Sequence, residues 1–527
     1  MKKVVILAIN ARYVHSCLAA WLLAEGVRQY ARLPYDVNVI EANINQSDDE
    51  IAAQVAAHSP DAVGISTYIW NVSKLPDIMK VLRQLMPETI FILGGPEAAH
   101  NAEFWLERGA DFVLPGEGER KFPALLDALA DGTKFEPETE LPVDFIDPFN
   151  ETYIAALKGK IAYIEASRGC PFSCAFCLSG DDAVRFFPLD AVKKQLDKLA
   201  GAEVRIIKFV DRTFNADGKR AYELIEYIIG LDTDNRFHFE VAADLFDEDT
   251  LGLLATAPPG KIQLEAGLQS FFLPALAAID RQTNLVKAVE NLRTLLRGGN
   301  IHVHVDLIAG LPRETLEDFM DSFDQAYAVG VHTLQLGFLK LLHGSALREN
   351  EKSIVYAKEP PYEVISSPWM SAEDLEILKK TENALQNTYN KGRFLSALQY
   401  ALFVTGLRPF ALYRALGETV PKNESPLEDY ALQMYLFCVK LPKIAPDILL
   451  GRMICDWMGM VKGVNMPVFM KIGNKIQLAP VIKAAEETFG RKIRRNEAAL
   501  LPSGKGVFVD SESRDPVTGL YELHFVN

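Results

Sequence analysis

Hydrophobic positions along the chain alternate between short continuous runs and longer stretches with helical spacing. Over residues 1–131 the runs fall at 4–9, 37–42, 62–66, 90–93 and 111–114. Between the third and fourth, Val72, Leu75, Ile78, Met79, Leu82 and Leu85 recur at three- and four-residue intervals, the signature of one buried helix face. Five strands separated by helices predict a doubly wound parallel α/β sheet, with ligands beyond the carboxyl ends of the strands. Residues 132–155 break the pattern: Pro137, Pro142 and Pro148 punctuate an acidic stretch without sustained period, which reads as a linker. A second alternation runs over 156–345, with strands expected at 161–166, 204–210, 237–242, 262–266, 303–308 and 333–338 and helical segments such as 221–229 and 316–328. Six strand–helix repeats predict a partial (β/α)6 or full parallel barrel whose chemistry sits at the C-terminal strand ends. The C-terminal region, 346–527, reads as mostly helical (375–385, 430–439, 448–458). It ends in a β-hairpin that pairs 506–510 with 521–525 around the turn residues 515–519.

Composition narrows the function. Hydrophobic residues make up 49% and charged residues 24%, an ordinary globular balance that excludes a disordered or rod-like chain. With 55 basic against 70 acidic residues the net charge is −15, which argues against a general binder of nucleic-acid phosphates. The basic run Arg491-Lys-Ile-Arg-Arg495 accordingly reads as a solvated face rather than an RNA site. The N-terminus, MKKVVILAIN, has too short an apolar run for a secretory signal. No window approaches the roughly 18 apolar residues of a membrane span. The expected location is the cytoplasm. Six cysteines are too few for a disulfide scaffold. Cys438 sits in an apolar stretch and reads as core; Cys455 reads as packing, with a place in a substrate pocket as the alternative.

The other notable cysteines are clustered. Directly after the first strand of the second series comes Ser167-Arg-Gly-Cys170-Pro-Phe-Ser-Cys174-Ala-Phe-Cys177. A structural zinc site needs four ligands, and no fourth Cys or His stands at finger spacing. Three thiolates in a short Gly/Pro-containing loop suit a 4Fe–4S cluster with one iron left open. This CxxxCxxC motif, with the aromatic Phe176 before its last cysteine, closely resembles the radical S-adenosylmethionine superfamily. The resemblance implies that the open iron chelates S-adenosylmethionine and that the reduced cluster cleaves it to a hydrogen-abstracting radical. Later strand ends resemble further motifs of that superfamily: Val210-Asp211-Arg-Thr-Phe-Asn215, Glu265-Ala-Gly267-Leu-Gln269-Ser270 and Asp306-Leu-Ile-Ala-Gly310-Leu-Pro312, with Glu240 and Asp244 near the third strand's end. By resemblance, Gln269 and Ser270 reach the ribose or methionine part of S-adenosylmethionine, and the backbone up to Gly310 flanks the adenine. Asp211 and Glu265 bind S-adenosylmethionine or orient substrate. The usual GGE motif for its amino group is not evident, and Asp211 is the expected substitute.

The strand ends of the first domain read Asn10-Ala-Arg12-Tyr13-Val-His15, Ser66-Thr67-Tyr68, Gly94-Gly95-Pro96-Glu97 and Gly116-Glu117-Gly-Glu119. No GxGxxG follows the first strand, which weighs against a dinucleotide. Ser66-Thr67-Tyr68 and Gly94-Gly95, with 25 residues between them, resemble the flavodoxin-like (Rossmann-like) cobalamin-binding fold of methyltransferases and mutases. That fold carries DxHxxG after its first strand. Here His15 falls at the ligand position, but Tyr13 stands for Asp and Leu18 for Gly. Without the orienting carboxylate, the expected cobalt has no protein ligand, or water, on its lower face. A cobalamin domain preceding such a barrel resembles the cobalamin-dependent radical S-adenosylmethionine subclass, which includes the anaerobic magnesium-protoporphyrin IX monomethyl ester cyclase-like group. The implied activity is methyl transfer to an unactivated carbon of a small molecule or peptide. It would use a 4Fe–4S cluster, S-adenosyl-L-methionine, cobalamin and a low-potential electron donor of flavodoxin or ferredoxin type. Radical cyclisation or rearrangement, a non-catalytic carrier and RNA modification are the alternatives.

Overall fold

The computed structural model describes residues 2–135, 143–179, 183–420, 426–460 and 465–527; Pro137 and Pro142 of the expected linker lie outside them. The chain divides into two units, one of residues 1–245, 279–282 and 339–365, the other of 246–278, 283–338 and 366–527.

The first unit begins with five parallel strands: β1 (Lys2–Asn10), β2 (Tyr35–Asn43), β3 (Ala62–Ser66), β4 (Ile90–Gly94) and β5 (Phe112–Leu114), in the order β2-β1-β3-β4-β5. Alternate residues of β1 feed two layers. Val5, Leu7 and Ile9 pack with the helices α2 (Asp48–Ala56) and α3 (Leu75–Leu85) through Ile51, Val55, Ile78 and Met79. Val4, Ile6 and Ala8 pack with α1 (Leu18–Tyr30) and with the C-terminal helix of this domain, Gly118–Asp131, through Ala20, Ala24, Phe122 and Leu125. A strand covered on both faces needs an unbroken apolar run, and β1 is buried from position 4 to position 10. Chain order reverses between β1 and β3, so their carboxyl ends form the ligand-binding crevice expected of this topology.

The linker is more ordered than its sequence suggests. Val143, Ile146 and Phe149 are buried, and a helix forms over Glu151–Ala156 with Asn150 capping it by accepting from Tyr153 N–H. Tyr153 stacks between Phe149 and Trp21, at 5.3 and 4.5 Å between ring centroids. The Trp21 contact reaches across the sequence, so no local period announces it.

The second alternation appears as expected, with shifted ends. Parallel strands β6 (Ala162–Ile164), β9 (Ile206–Phe209) and β10 (Arg236–Val241) lie in the first unit, and a short antiparallel pair, β7 (Ser167–Arg168) and β8 (Arg185–Phe186), brackets the cysteine loop. Parallel strands β11 (Ile262–Gln269), β12 (His302–Ala309) and β13 (Thr333–Phe338) lie in the second unit. Along β11 and β12 buried apolar residues alternate with a half-buried face that carries Gln263, Glu265, Gln269, His302, His304 and Asp306. Helices Leu189–Ala200, Gly218–Gly230, Leu285–Gly298 and Leu316–Val329 intervene.

The C-terminal region is helical over Ala372–Asn387, Leu395–Thr405, Pro409–Thr419, Leu427–Cys438, Pro446–Met460 and Lys475–Phe489. The expected hairpin, Gly506–Val509 with Leu523–Val526, gains a third antiparallel strand, Ala498–Leu500. Cys438 is fully buried. Cys455 is half-buried, and burial pushes its thiol up to about 11. Arg491 is tied to Glu497 and Asp510 rather than free for an anion. Among the described residues no helix is long and apolar enough to cross a membrane.

Candidate functional site

The cysteine loop is held at both ends. Before it, Asp211 is buried; its carboxylate accepts from Ala166 N–H at 2.9 Å and from Ser167 Oγ at 2.5 Å. Burial pushes this carboxyl up to about 7. Asp211 therefore acts on the loop through the strand that launches it. Gly169 turns the chain with φ +88°, a conformation that favours glycine. Farther on, Ala175 N–H donates to Ile279 O at 2.9 Å, and Ala175 O accepts from Leu347 N–H at 2.7 Å. Cys170, Cys174 and Cys177 are all free thiols. Cys177 N–H closes the loop onto Cys174 O at 2.9 Å. Each sulfur has a polar neighbour: the Thr213 hydroxyl lies 3.6 Å from Cys170, Arg281 Nη1 donates to Cys174 at 3.6 Å, and Ser179 N–H donates to Cys177 at 3.4 Å. Burial raises the Cys174 thiol, and the Arg281 charge opposes that shift. Phe176 is half-buried beside them. Three thiols in one short loop, with donors at the Cys174 and Cys177 sulfurs and no other cysteine in the loop, are a ligand set that fits an iron–sulfur cluster with one open iron. Cys17 is in the core of the first domain, its thiol raised to about 11 by burial.

Arg168, between β6 and Cys170, joins this loop to the first domain. It meets Glu119 at 2.5 Å, Glu165 at 2.9 Å and Glu117 at 3.2 Å, while Arg185 also pairs with Glu117 at 2.5 Å. Glu117, expected beside cobalamin, thus holds two arginines. Gly116 precedes it with φ +73°.

The crevice at the ends of β1, β3 and β4 gathers most of the other expected cobalamin residues. Thr67 is buried and ties two loops together: its N–H and Oγ1 donate to Gly94 O at 2.7 and 2.8 Å, and Oγ1 accepts from Ala98 N–H at 2.9 Å. Gly95 has φ +102°, and a Cβ there would lie 2.6 Å from Thr67 O. A Cβ on Gly94 would meet only Leu114 O, at 3.7 Å, so this position opens onto free space. Ser66 Oγ lies against the Cys17 thiol. Tyr68 stacks on Trp70 at 4.4 Å between centroids, and Trp70 Nε1 donates to Ile9 O. Trp70, Tyr13 and Val14 remain exposed. Room at Gly94 and an exposed aromatic shelf fit a bulky macrocyclic ligand. Trp70 stands in a strand-end segment legible in the sequence, yet only its exposure marks it.

Asn10 Nδ2 donates to His15 O at 3.0 Å, fixing the turn that carries Arg12 and Tyr13. His15 Nδ1 lies 2.6 Å from the Tyr163 hydroxyl. Burial and the nearby Arg12 and Lys208 charges lower the His15 imidazolium, while burial raises the Tyr163 phenol, so both are neutral at pH 7. Glu97 is turned away from the crevice: it is buried and accepts from the Tyr362 hydroxyl at 2.5 Å.

In the second unit, Glu265 and His304 are register partners on β11 and β12. Together with Asp306 they place one ligand-capable atom each within 4.8 Å of one another. His304 Nε2 is 2.9 Å from Asp306 Oδ1. A bulge at the end of β11 gives Gln269 φ +68° and leaves its buried Oε1 without a hydrogen-bond partner, an acceptor that fits a ligand hydroxyl. Ser270 is fully buried and donates to Glu314 Oε1 at 2.5 Å, and burial pushes the Glu314 carboxyl up to about 8. Ser270 therefore shapes the turn rather than reaching a ligand. Gly310 follows β12 with φ +86°.

Comparisons with known proteins agree with this layout. Residues 4–126 match the B12 binding domain and residues 164–326 the Radical SAM superfamily, while residues 350–499 match a protein of unknown function family, DUF4080. The 2-(S-pantetheinyl)-carbapenam-3-carboxylate methyltransferase of Streptantibioticus cattleyicolor is 24% identical over 63% of this chain and 55% of its own length. The cobalamin-dependent radical SAM methyltransferase TokK of Streptomyces tokunonensis is 24% identical over 65% of this chain and 56% of its own. The chain thus spans little more than half the length of these relatives. The structure of OxsB, a cobalamin-dependent S-adenosylmethionine radical enzyme, superposes with a TM-score of 0.59 at 14% identity, covering 86% of this chain and 78% of that one. The chain thus carries a B12-binding domain ahead of a radical SAM domain with CxxxCxxC after its first strand, the arrangement by which it resembles the cobalamin-dependent radical S-adenosylmethionine enzymes.

Proposed function

We propose that the protein transfers a methyl group to an unactivated carbon of a small molecule or peptide. The observation that carries this reading is the loop of three free thiols, built on a β/α domain that follows an open cobalamin-type crevice. When bound, a 4Fe–4S cluster with S-adenosylmethionine supplies radical generation, and cobalamin supplies a methyl carrier. Cys170, Cys174 and Cys177 would hold the cluster. Gln269, Glu265, Phe176 and the backbone at Gly310 would face S-adenosylmethionine, with Asp211 and Ser270 fixing the loops that present them. Ser66, Thr67, Tyr68, Gly94 and Gly95 would receive the nucleotide tail, and Asn10, Arg12, Tyr13, His15 and Trp70 would lie under or beside the corrin. Glu97, Gly116 and Glu117 would support that crevice from behind. Both relatives above are methyltransferases by name, which supports methyl transfer over cyclisation. A low-potential flavodoxin or ferredoxin would deliver the electron, in a reducing cytoplasm that keeps the thiols free. The domain limits follow the sequence reading, 1–131 for cobalamin and 156–345 for the radical chemistry.

The test is anaerobic incubation of the reconstituted, reduced protein with cell extract and methyl-deuterated S-adenosylmethionine. Label in a carbon-bound methyl group, with both S-adenosylhomocysteine and 5′-deoxyadenosine formed, is the expected result. 5′-Deoxyadenosine alone would point to cyclisation or rearrangement, and no cleavage at all to a carrier. The triple variant Cys170→Ala/Cys174→Ala/Cys177→Ala should lose its iron and sulfide; retention of four irons per chain would refute the cluster assignment.

A further inference from the structure

Residues 279–282 belong to the first unit although the chain on both sides belongs to the second. This four-residue excursion is pinned to the cysteine loop by the bond from Ala175 N–H to Ile279 O, and Asp280 turns it with φ +52°. It delivers one side chain, Arg281. Its Nη1 is 3.6 Å from Cys174 Sγ, and its Cζ stands 5.0 Å from the ring centroid of Phe172, which lies between the first two cysteines of the loop. The guanidinium is therefore held between an aromatic face and a thiol. The polar neighbours of the other two thiols, the Thr213 hydroxyl and the Ser179 N–H, are neutral.

We propose that Arg281 is a positioning residue that raises the one-electron reduction potential of a cluster held by Cys170, Cys174 and Cys177. The inference rests on the cluster assignment made above. Arginine stays protonated at every accessible pH. Reduction adds one electron, and so one negative charge, to the cluster. A fixed positive charge donating a hydrogen bond to a ligating sulfur stabilises the reduced form more than the oxidised one. Phe172 contributes by holding the guanidinium at the thiol through its ring face. This arrangement would let a donor of ordinary low potential load the cluster in the absence of substrate.

The test is an anaerobic redox titration of the reconstituted full chain, with the reduced cluster followed by electron paramagnetic resonance. At the wild-type midpoint, Arg281→Met should show a reduced-to-oxidised ratio about tenfold lower, which is about 59 mV for a one-electron couple. Arg281→Lys, which keeps the charge, should stay within about threefold of wild type on the same scale, and Phe172→Leu should fall between. Superimposable titrations of wild type and Arg281→Met would overturn the proposal. If Arg281→Met assembles no cluster while Arg281→Lys does, the charge serves assembly rather than the potential, which overturns the proposal. Loss from both variants would make Arg281 an anchor for the loop and nothing more, which overturns it. A wild-type protein that assembles no cluster refutes the functional reading itself and is recognised by its iron and sulfide content before any titration.

Discussion

Replacing Arg168 by methionine removes the cation from a cage of three carboxylates. Its side chain is 19% exposed; those of Glu119, Glu165 and Glu117 are 7%, 22% and 33% exposed. Glu117 retains Arg185, but Glu119 and Glu165 lose the arginine that pairs them. Breaking a buried ion pair by deleting one partner costs about 3–5 kcal/mol, because the remaining charge is left desolvated. Partial exposure of Glu165 puts the expected loss at the lower end, about 3 kcal/mol. For a unit of this size that is a fall of roughly 6–12 °C in Tm. The loss should depend on pH with a definite sign. Burial already raises the Glu165 carboxyl above its ordinary value, against the pull of Arg168. Without the arginine it rises further, and an acid whose folded pKa is raised loses stability as pH rises. The deficit of Arg168→Met should therefore be largest near pH 8 and shrink toward pH 5, as protonation relieves Glu165. Urea denaturation of both proteins across that range, with calorimetry at its ends, measures it. A deficit below about 1 kcal/mol, the value of a surface pair, or one that does not change with pH, would refute the reasoning. Partial recovery in Arg168→Met/Glu119→Gln would localise the cost to the stranded charge.

Further expectations follow from single positions. Gly95→Ala forces a side chain into a left-handed conformation with its Cβ 2.6 Å from Thr67 O, so the crevice should loosen and the first domain lose about 1–3 kcal/mol in urea unfolding; an unchanged midpoint would contradict this. Gly94→Trp should instead fold normally and fail to retain cobalamin by its visible spectrum, because the space beside Gly94 is open; full occupancy would move the nucleotide tail elsewhere. Glu314, raised to about 8, disfavours the folded state progressively as pH rises from the ordinary carboxylate range through 8, and Glu314→Gln should flatten that part of the stability profile; parallel profiles would exclude it as the titrating group. For His15, Nδ1 is engaged by the Tyr163 hydroxyl at 2.6 Å, and Tyr13 stands where an orienting Asp would hold a metal-bound ring. The cob(II) form should show no nitrogen superhyperfine splitting; splitting that disappears in His15→Ala would show the opposite.

Features set by neighbours in sequence were legible before any coordinates. The apolar run of β1, the helical period of 72–85 and the alternation along β11 and β12 each encode which face is buried, because side-chain direction repeats every two or 3.6 residues. The thiol spacing of Cys170, Cys174 and Cys177 was equally plain, since one short loop presents all three. Helix Glu151–Ala156 was missed because its burial comes from Trp21, far along the chain. The roles of polar residues were set only by tertiary structure. Asp211, Ser270 and Glu97 stand at strand ends where a ligand was expected, yet each is engaged by the protein: by Ser167, by Glu314 and by Tyr362, across 44, 44 and 265 residues of sequence. Arg281 and Trp70 carried no periodic signal, and what marks them is a thiol 107 residues away and an exposed aromatic face. Backbone periodicity follows from local geometry, whereas a polar side chain has no fixed partner until folding sets a donor and an acceptor three ångströms apart. Sequence alone therefore determined the elements and the spacing of the three thiols, and the tertiary structure decided which charged and polar groups are engaged within the protein.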